Sequence, residues 1–272
     1  MPLSLPVIPM TVDDFHTMRH RLGWKHEYWD GAARLSPSHI AVTTFSRPLN
    51  QRCGARPCLE TGYEIQPVNA ANEGAVVDLY VKAFESAVEF AGYSDDLYRD
   101  TLKSDVARFF EGTLQRNRNR GAVEHSYVVQ HSTVIVAALL VGFRGETPCI
   151  EPVMVDPEHQ LRGLATALIN RTAESLLAAG FTTIQSHCHL ANTSSLAWHR
   201  KNGFKESPCH LAACHYHEHY RRLVIHHDAA GRSEEATEVE LLAQYWSRVK
   251  VQTEPVAISS VPLSSPQLPP LG

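Results

Sequence analysis

The stretch "EPVMVDPEHQLRGLATALI", residues 151–169, constrains the fold more than any other part of the chain. Its first residues read as a strand and its last as a helix, with Pro157 and Gly163 at the switch. A strand that feeds a helix through so short a connection predicts sheet and helix packed as layers. It also leaves the first amides of the helix without backbone acceptors, and those donors, aligned with the helix dipole, favour an anion. Gly163 has no Cβ and lets a ligand approach the backbone. Ala165 keeps the next position open, Gln160 offers a side-chain donor and Arg162 a positive charge. The expectation is a phosphate-type site on the amides of Leu161, Arg162, Gly163, Leu164, Ala165 and Thr166. A plain strand–helix connection, with a glycine for the turn, carries equal weight at this point. The patterns GxxxxGK[ST] and GxGxxG are absent here.

Strand and helix signals alternate on both sides of this junction. Residues 62–220 read as one domain. "YEIQPV", "SYVVQ", "TVIVAALLVGF", "CIEPVMV" and "TTIQSHCHL" are strands. "NEGAVVDLYVKAFESAVEFA", "DDLYRDTLKSDVARFFEGTL", "GLATALINRTAESLLAAG" and "TSSLAWHRKNG" are helices, the last two stopped by Gly180 and Gly203. Residues 1–61 read as an N-terminal extension: an amphipathic piece, a hairpin turning on Asp30-Gly31, then loop composition after Phe45. Residues 221–252 form a helical appendage with Ser233 as N-cap candidate and Val239, Leu242, Trp246 and Val249 on one face, buried against the body or a second subunit. Residues 253–272 are rich in Pro and Ser and read as a disordered tail.

A net charge of -4 argues against non-specific nucleic-acid binding. No run of 18 apolar residues predicts a membrane span, and the first residues lack the basic region of a secretory signal. The six cysteines form no CxxC pair and read as reduced thiols, which points to the cytoplasm.

The residues Gln160, Leu161, Arg162, Gly163, Leu164 and Ala165 resemble the Q/R-x-x-G-x-G/A signature of the GCN5-related N-acetyltransferases (GNAT). "NTSSLAWHRKNGF" is similar to a second segment of that family, with Asn192, Ser195, His199, Gly203 and Phe204 at the matching places. One helix and one strand separate the two, and the resemblance spans roughly residues 62–207. It implies an α/β fold with a mixed, mostly antiparallel central sheet split by acetyl-CoA. It also implies an N-acetyltransferase that moves the acetyl group to a primary amine without a covalent enzyme intermediate. The backbone of Val153, Met154 and Val155 would hold the pantetheine arm, the amide of Val155 would polarise the thioester carbonyl, and Gln160 to Thr166 with Asn192 would complete the cofactor site. His199 stands where the family usually has a tyrosine acid, and a histidine can fill that role or none.

Glu151 is the first candidate for general base, because a carboxylate inside a buried strand requires a reason; it is expected on the face of Val153 and Val155. The alternative is a strand-end carboxylate paired with a basic neighbour. His187 and His189 alternate onto one face of the next strand and could line the same cleft. The histidine-rich segment 210–227 invites a rival metal reading if it is a strand, with His215, His217 and His219 on one face; if it is a helix they diverge. The expectation adopted is no metal. The acceptor is read as a small-molecule amine, with a protein N-terminus or lysine left open, as is a homodimer. The runner-up function is a non-catalytic acyl-CoA-binding sensor or interaction module.

Overall fold

The structure is a computed structural model and describes residues 3–50, 59–112, 120–121 and 123–254. The N-terminal part contains β1 (Val7–Pro9), α1 (Val12–Thr17), β2 (Trp24–Trp29), β3 (Ala32–Pro37) and β4 (Val42–Pro48). Then follow β5 (Tyr63–Pro67), α2 (Glu73–Phe84), α3 (Asp95–Phe110), β6 (Arg120–Gly121), β7 (Tyr127–His131), β8 (Val134–Arg144) and β9 (Thr147–Val155). The last third contains α4 (Leu164–Ala178), β10 (Thr183–His189), α5 (Thr193–Lys201), β11 (Lys205–Ser207), α6 (His210–Ala229) and α7 (Ser233–Thr253).

The main sheet runs β11-β4-β10-β9-β8-β7-β5, with β6 paired to β8. Every pairing in it is antiparallel except β9 with β10. That single parallel contact follows from the junction, since a strand–helix–strand crossover returns the chain in the same direction. Residues 135–143 of β8 are buried without a break, because helices cover both faces of the sheet there. On one face Leu164, Leu168, Ile169 and Leu176 of α4 pack on Phe45, Leu139, Val141 and Ile184. On the other, Val76 and Leu79 of α2 and Leu102, Val106 and Phe109 of α3 pack on Val128 and Leu140. Each such side chain contributes ~1.5–3 kcal/mol when fully buried.

The Asp30-Gly31 hairpin forms as expected, with both residues at positive φ (50° and 73°) as a type I′ turn requires. The segment after Phe45 differs from its loop reading. Residues 42–48 form β4, which pairs with β10 along its whole length and with β11 on its other edge. Thr43, Phe45 and Arg47 are fully buried, and the Arg47 guanidinium reaches Asn170 at 3.3 Å and lies over the Phe204 ring. The N-terminal part therefore supplies an interior strand of the main sheet. β1, β3 and β2 form a separate three-stranded sheet.

The histidine-rich segment is the helix α6, unbroken through residue 221, so no element boundary falls there. It forms a hairpin with α7, sealed by Tyr216 stacked on Trp246 at 4.0 Å. Ser233 is the first helical residue of α7; Arg232 takes the cap position without a side-chain hydrogen bond. Ala236 and Ala243 are the buried residues of α7, and Leu242 is exposed rather than part of the inner face. Where α6 meets the N-terminal part, His20 and His219 face each other Nδ1 to Nδ1 at 3.3 Å, and His26 stacks on His20 at 4.1 Å. The tail from residue 255 lies outside the described residues, as do Cys53 and Cys58. Cys149, Cys188, Cys209 and Cys214 are free thiols. Among the described residues no helix is long and apolar enough to cross a membrane.

Candidate active site

The connection from β9 to α4 is a sequence of local constraints. Asp156 accepts the Glu158 amide at 3.0 Å and opens a single 3-10 turn, Pro157–His159. Lys82 of α2 ties this turn to the body through Asp156 (2.9 Å) and Glu158 (3.3 Å). Leu161 has φ 62° and a fully exposed side chain, and Gly163, the N-cap of α4, has φ 79°. That left-handed conformation costs a residue with a Cβ ~1–2 kcal/mol. The first bond of the helix runs from Ala167 to the Gly163 carbonyl, and no side chain caps the turn. The amides of Gly163, Leu164, Ala165 and Thr166 thus point outward without intrahelical acceptors. Arg162 pairs with Glu60 at 2.9 Å; both side chains are exposed, so the pair holds the arginine weakly.

β9 and β10 are hydrogen-bonded only at Cys149 with Gln185 and Ile150 with Ser186. Beyond Ile150 the two strands part. Asp156 donates its amide to Val136 of β8, so by strand alternation Met154 also turns its amide toward β8, while Val153 and Val155 turn theirs into the gap. Gln160 donates to the Val155 carbonyl at 3.4 Å from that side. Of the three backbone positions expected to line the gap, Val153 and Val155 do so and Met154 does not. Asn192 caps α5 by accepting the Ser195 amide and donates to Glu89 at 2.9 Å.

The register of β9 on β8 slips between Leu139 and Val141. This bulge reverses the alternation, so Glu151 faces α2 and α3 and not the side of Val153 and Val155 as expected. There it lines a cavity of about 180 Å3 with Tyr80, Asp105, Val106, Phe109, Leu140 and Pro152. Glu151 Oε1 is buried with no hydrogen-bond partner. Burial pushes the carboxyl up from its ordinary value, Arg144 opposes and Asp105 adds to the rise. Asp105 is also pushed up by burial, despite its ion pair with Arg108. Asp105 and Tyr80 are the residues that the sequence reading missed. Asp105 had a signal: it sits on the apolar stripe of α3 between Leu102, Val106 and Phe109.

His199 lies on the opposite face of the sheet from Glu151, 2% exposed and stacked on Phe45 at 4.6 Å. Its Nδ1 is 2.7 Å from the Ser195 carbonyl, which can only accept, so Nδ1 carries the hydrogen and Nε2 accepts from the Ser186 hydroxyl at 2.8 Å. Burial lowers its pKa, and the ring is uncharged at neutral pH. His187 bonds Thr44 at 3.1 Å and is lowered to about 4, first by burial. His189 donates to the Ser38 carbonyl at 3.0 Å and accepts the Ala191 amide at 3.1 Å. Both ring nitrogens of His189 are thereby committed to backbone. Because α6 is a helix, His217 points away from the face that His215 and His219 share, and among the described residues no three His, Cys, Asp or Glu side chains are arranged to hold a metal ion.

Residues 70–204 match the acetyltransferase (GNAT) family. No curated protein matches the chain. A GCN5-related N-acetyltransferase from Sphaerobacter thermophilus is 16% identical, with a TM-score of 0.44 over 61% of this chain and 48% of its own. The chain thus matches about half the length of that protein. The PaiA N-acetyltransferase of Thermoplasma acidophilum, solved with coenzyme A, is 11% identical, with a TM-score of 0.44 over 53% of this chain and 89% of its own. AAC(6')-Iy, solved with a bisubstrate analogue, is 17% identical, with a TM-score of 0.39 over 53% and 90%.

Proposed function

Residues 70–204 belong to the GNAT acetyltransferase family, and on that premise we propose that the protein transfers the acetyl group of acetyl-CoA directly to a primary amine of a small molecule. The observation that carries this reading is the gap: β9 leaves β10 after Ile150, between the uncapped start of α4 and the cavity of Glu151. The pyrophosphate is taken by the amides from Leu161 to Thr166, with Arg162 released from Glu60 to meet it and Asn192 fixing the far wall. The pantetheine arm pairs with Val153 and Val155 as an added strand, which satisfies amides that otherwise lack a partner. The Val155 amide polarises the thioester carbonyl, a contribution of about 10²–10³ in rate for such preorganised donors.

The acceptor arrives as an ammonium, and Glu151 takes its proton. Raised by burial, this carboxylate is a better base than an exposed one. The free amine attacks the acetyl carbon, the C–S bond breaks, and the second proton of the attacking nitrogen ends on the departing thiolate. We assign that proton transfer to solvent rather than His199. An uncharged ring whose Nδ1–H is held by the Ser195 carbonyl has no proton to give. His199 positions α5 against β10 through Ser186.

The test is coenzyme A thiol release with an amine panel for wild type and Glu151→Gln, beside a thermal-shift titration with acetyl-CoA. The expected result is a drop in kcat of about 10²–10⁴ with the acetyl-CoA shift retained. Unchanged turnover in Glu151→Gln removes the base assignment, and cofactor binding without any amine acetylated turns the reading to a non-catalytic acyl-CoA-binding module.

A further inference from the structure

The cavity beside the gap is more acidic than one reacting amine requires. Two carboxylates line it, Asp105 of α3 and Glu151 of β9, and both, together with Glu89 of the turn Val88–Phe90, act electrostatically on the Tyr80 phenol. Glu151 Oε1 and Glu89 Oε2 are both buried without a hydrogen-bond partner. Tyr80 itself is 9% exposed and lines the cavity. A buried carboxylate oxygen without a partner is costly, and a cationic ligand in the cavity would satisfy that of Glu151. The fixed cations near by do not. Arg108 holds one oxygen of Asp105 from the next turn of the same helix; that pair lies at the cavity rim, with side chains 41% and 39% exposed, while Arg144 is exposed at the far end of β8.

The rest of the lining is hydrocarbon: Val106, Phe109, Leu140 and Pro152. A volume of about 180 Å3 is roughly six water-sized volumes, which suits a short unbranched molecule. The cavity therefore combines two carboxylates from different elements, Glu151 and Asp105, with an otherwise apolar wall. Resting on the acetyl-transfer reading above, we propose that the acceptor is a small aliphatic diamine. Its chain lies along Tyr80, Val106 and Phe109, one amine meets Glu151 and reacts, and the other remains an ammonium against the free oxygen of Asp105. The Tyr80 hydroxyl oxygen accepts a hydrogen bond from the amine once Glu151 has deprotonated it, which leaves the nitrogen lone pair free to attack. Burial and the three carboxylates push the phenol up, so it keeps its proton. Asp105 is then the residue that selects the second charge.

The experiment uses the full chain, acetyl-CoA, and two probes of equal length, 1,4-diaminobutane and butylamine. Coenzyme A release is measured for wild type, Asp105→Asn and Tyr80→Phe, and calorimetry measures 1,4-diaminobutane binding in the presence of coenzyme A. Wild type is expected to favour the diamine in kcat/KM by about tenfold or more, as removal of one of two charge-assisted contacts implies. Asp105→Asn is expected to erase most of that ratio through a higher KM for the diamine, with a matching loss in calorimetry. Equal kcat/KM for the two probes, or a ratio that survives Asp105→Asn, overturns the proposal. If no amine is acetylated, the acetyl-transfer reading fails on its own; diamine binding weakened by Asp105→Asn then still supports the site, and no diamine binding refutes it.

Discussion

Acid should unseat α6 from the N-terminal part of the chain. His20, His26 and His219 meet there, with His20 Nδ1 at 3.3 Å from His219 Nδ1 and His26 stacked on His20. Burial, then mutual repulsion with the other rings and with Arg222, lowers His20 to about 3. His26 falls to about 4 through burial, which outweighs its backbone hydrogen bond, with Arg21 and Arg222 adding to the fall. His219 falls to about 4 through burial, Arg19 and His26. Glu218 is the acid that acts on His20 in the opposite sense. Each folded-state value lies below the ordinary 6.5, so the unfolded chain binds protons first as pH falls. The stability contributed by the neutral rings is complete above pH 6.5 and is lost progressively toward pH 4. At pH 5 each ring is displaced by about 1.5 pH units at ~1.4 kcal/mol per unit, or ~6 kcal/mol for three. The rings are half-buried, and solvent screening reduces this to roughly 3 kcal/mol. For a chain of this size that is a drop in Tm of roughly 6–12 °C. The assay is thermal melting at pH 7.5 and 5.0 at constant ionic strength for wild type, His20→Gln and His219→Gln. Glutamine keeps a polar partner and does not titrate, so each variant should remove about a third of the pH-dependent drop. His125, His187, His189, His199 and His215 are also lowered, by burial first, and act in the same direction. A wild-type Tm that is flat between the two pH values, or a drop that both variants preserve in full, refutes the reasoning.

Two further outcomes test the architecture and the cofactor loop. Deleting residues 1–60 removes β4 with Phe45, Leu49 and Ala41, strips β11 of its strand partner and exposes the edge of β10. The lost burial is on the order of 5 kcal/mol or more, and far-UV circular dichroism with size-exclusion chromatography should find no compact monodisperse domain. In Gly163→Glu the φ of 79° is strained and a carboxylate faces the free amides. Acetyl-CoA at 100 times its Kd should stabilise wild type by about 2.7 kcal/mol and leave this variant unmoved; equal thermal shifts would place the pyrophosphate elsewhere.

Much of this molecule was determined by local sequence alone. The strand-to-helix switch at 151–169, the glycine at positive φ, the Asp30-Gly31 turn and the stripes of α2, α3 and α4 each depend on residues within one or two turns of one another. So does the uncapped start of α4 beside Gln160 and Arg162. Tertiary structure alone decided three things. β4 was not legible in "AVTTFSRPL" because its burial is produced by β10 and β11, more than 130 residues away. The face of Glu151 was set by a bulge that follows from the register of β9 on β8, and one slipped residue reverses every side chain beyond it. The role of His199 was set by Ser186 and the Ser195 carbonyl, which fix its tautomer, and by burial against Phe45, which removes its charge. A sequence specifies the groups and the local geometry that presents them. Which face a group occupies and which proton it holds depend on neighbours brought from far along the chain, through register and dielectric.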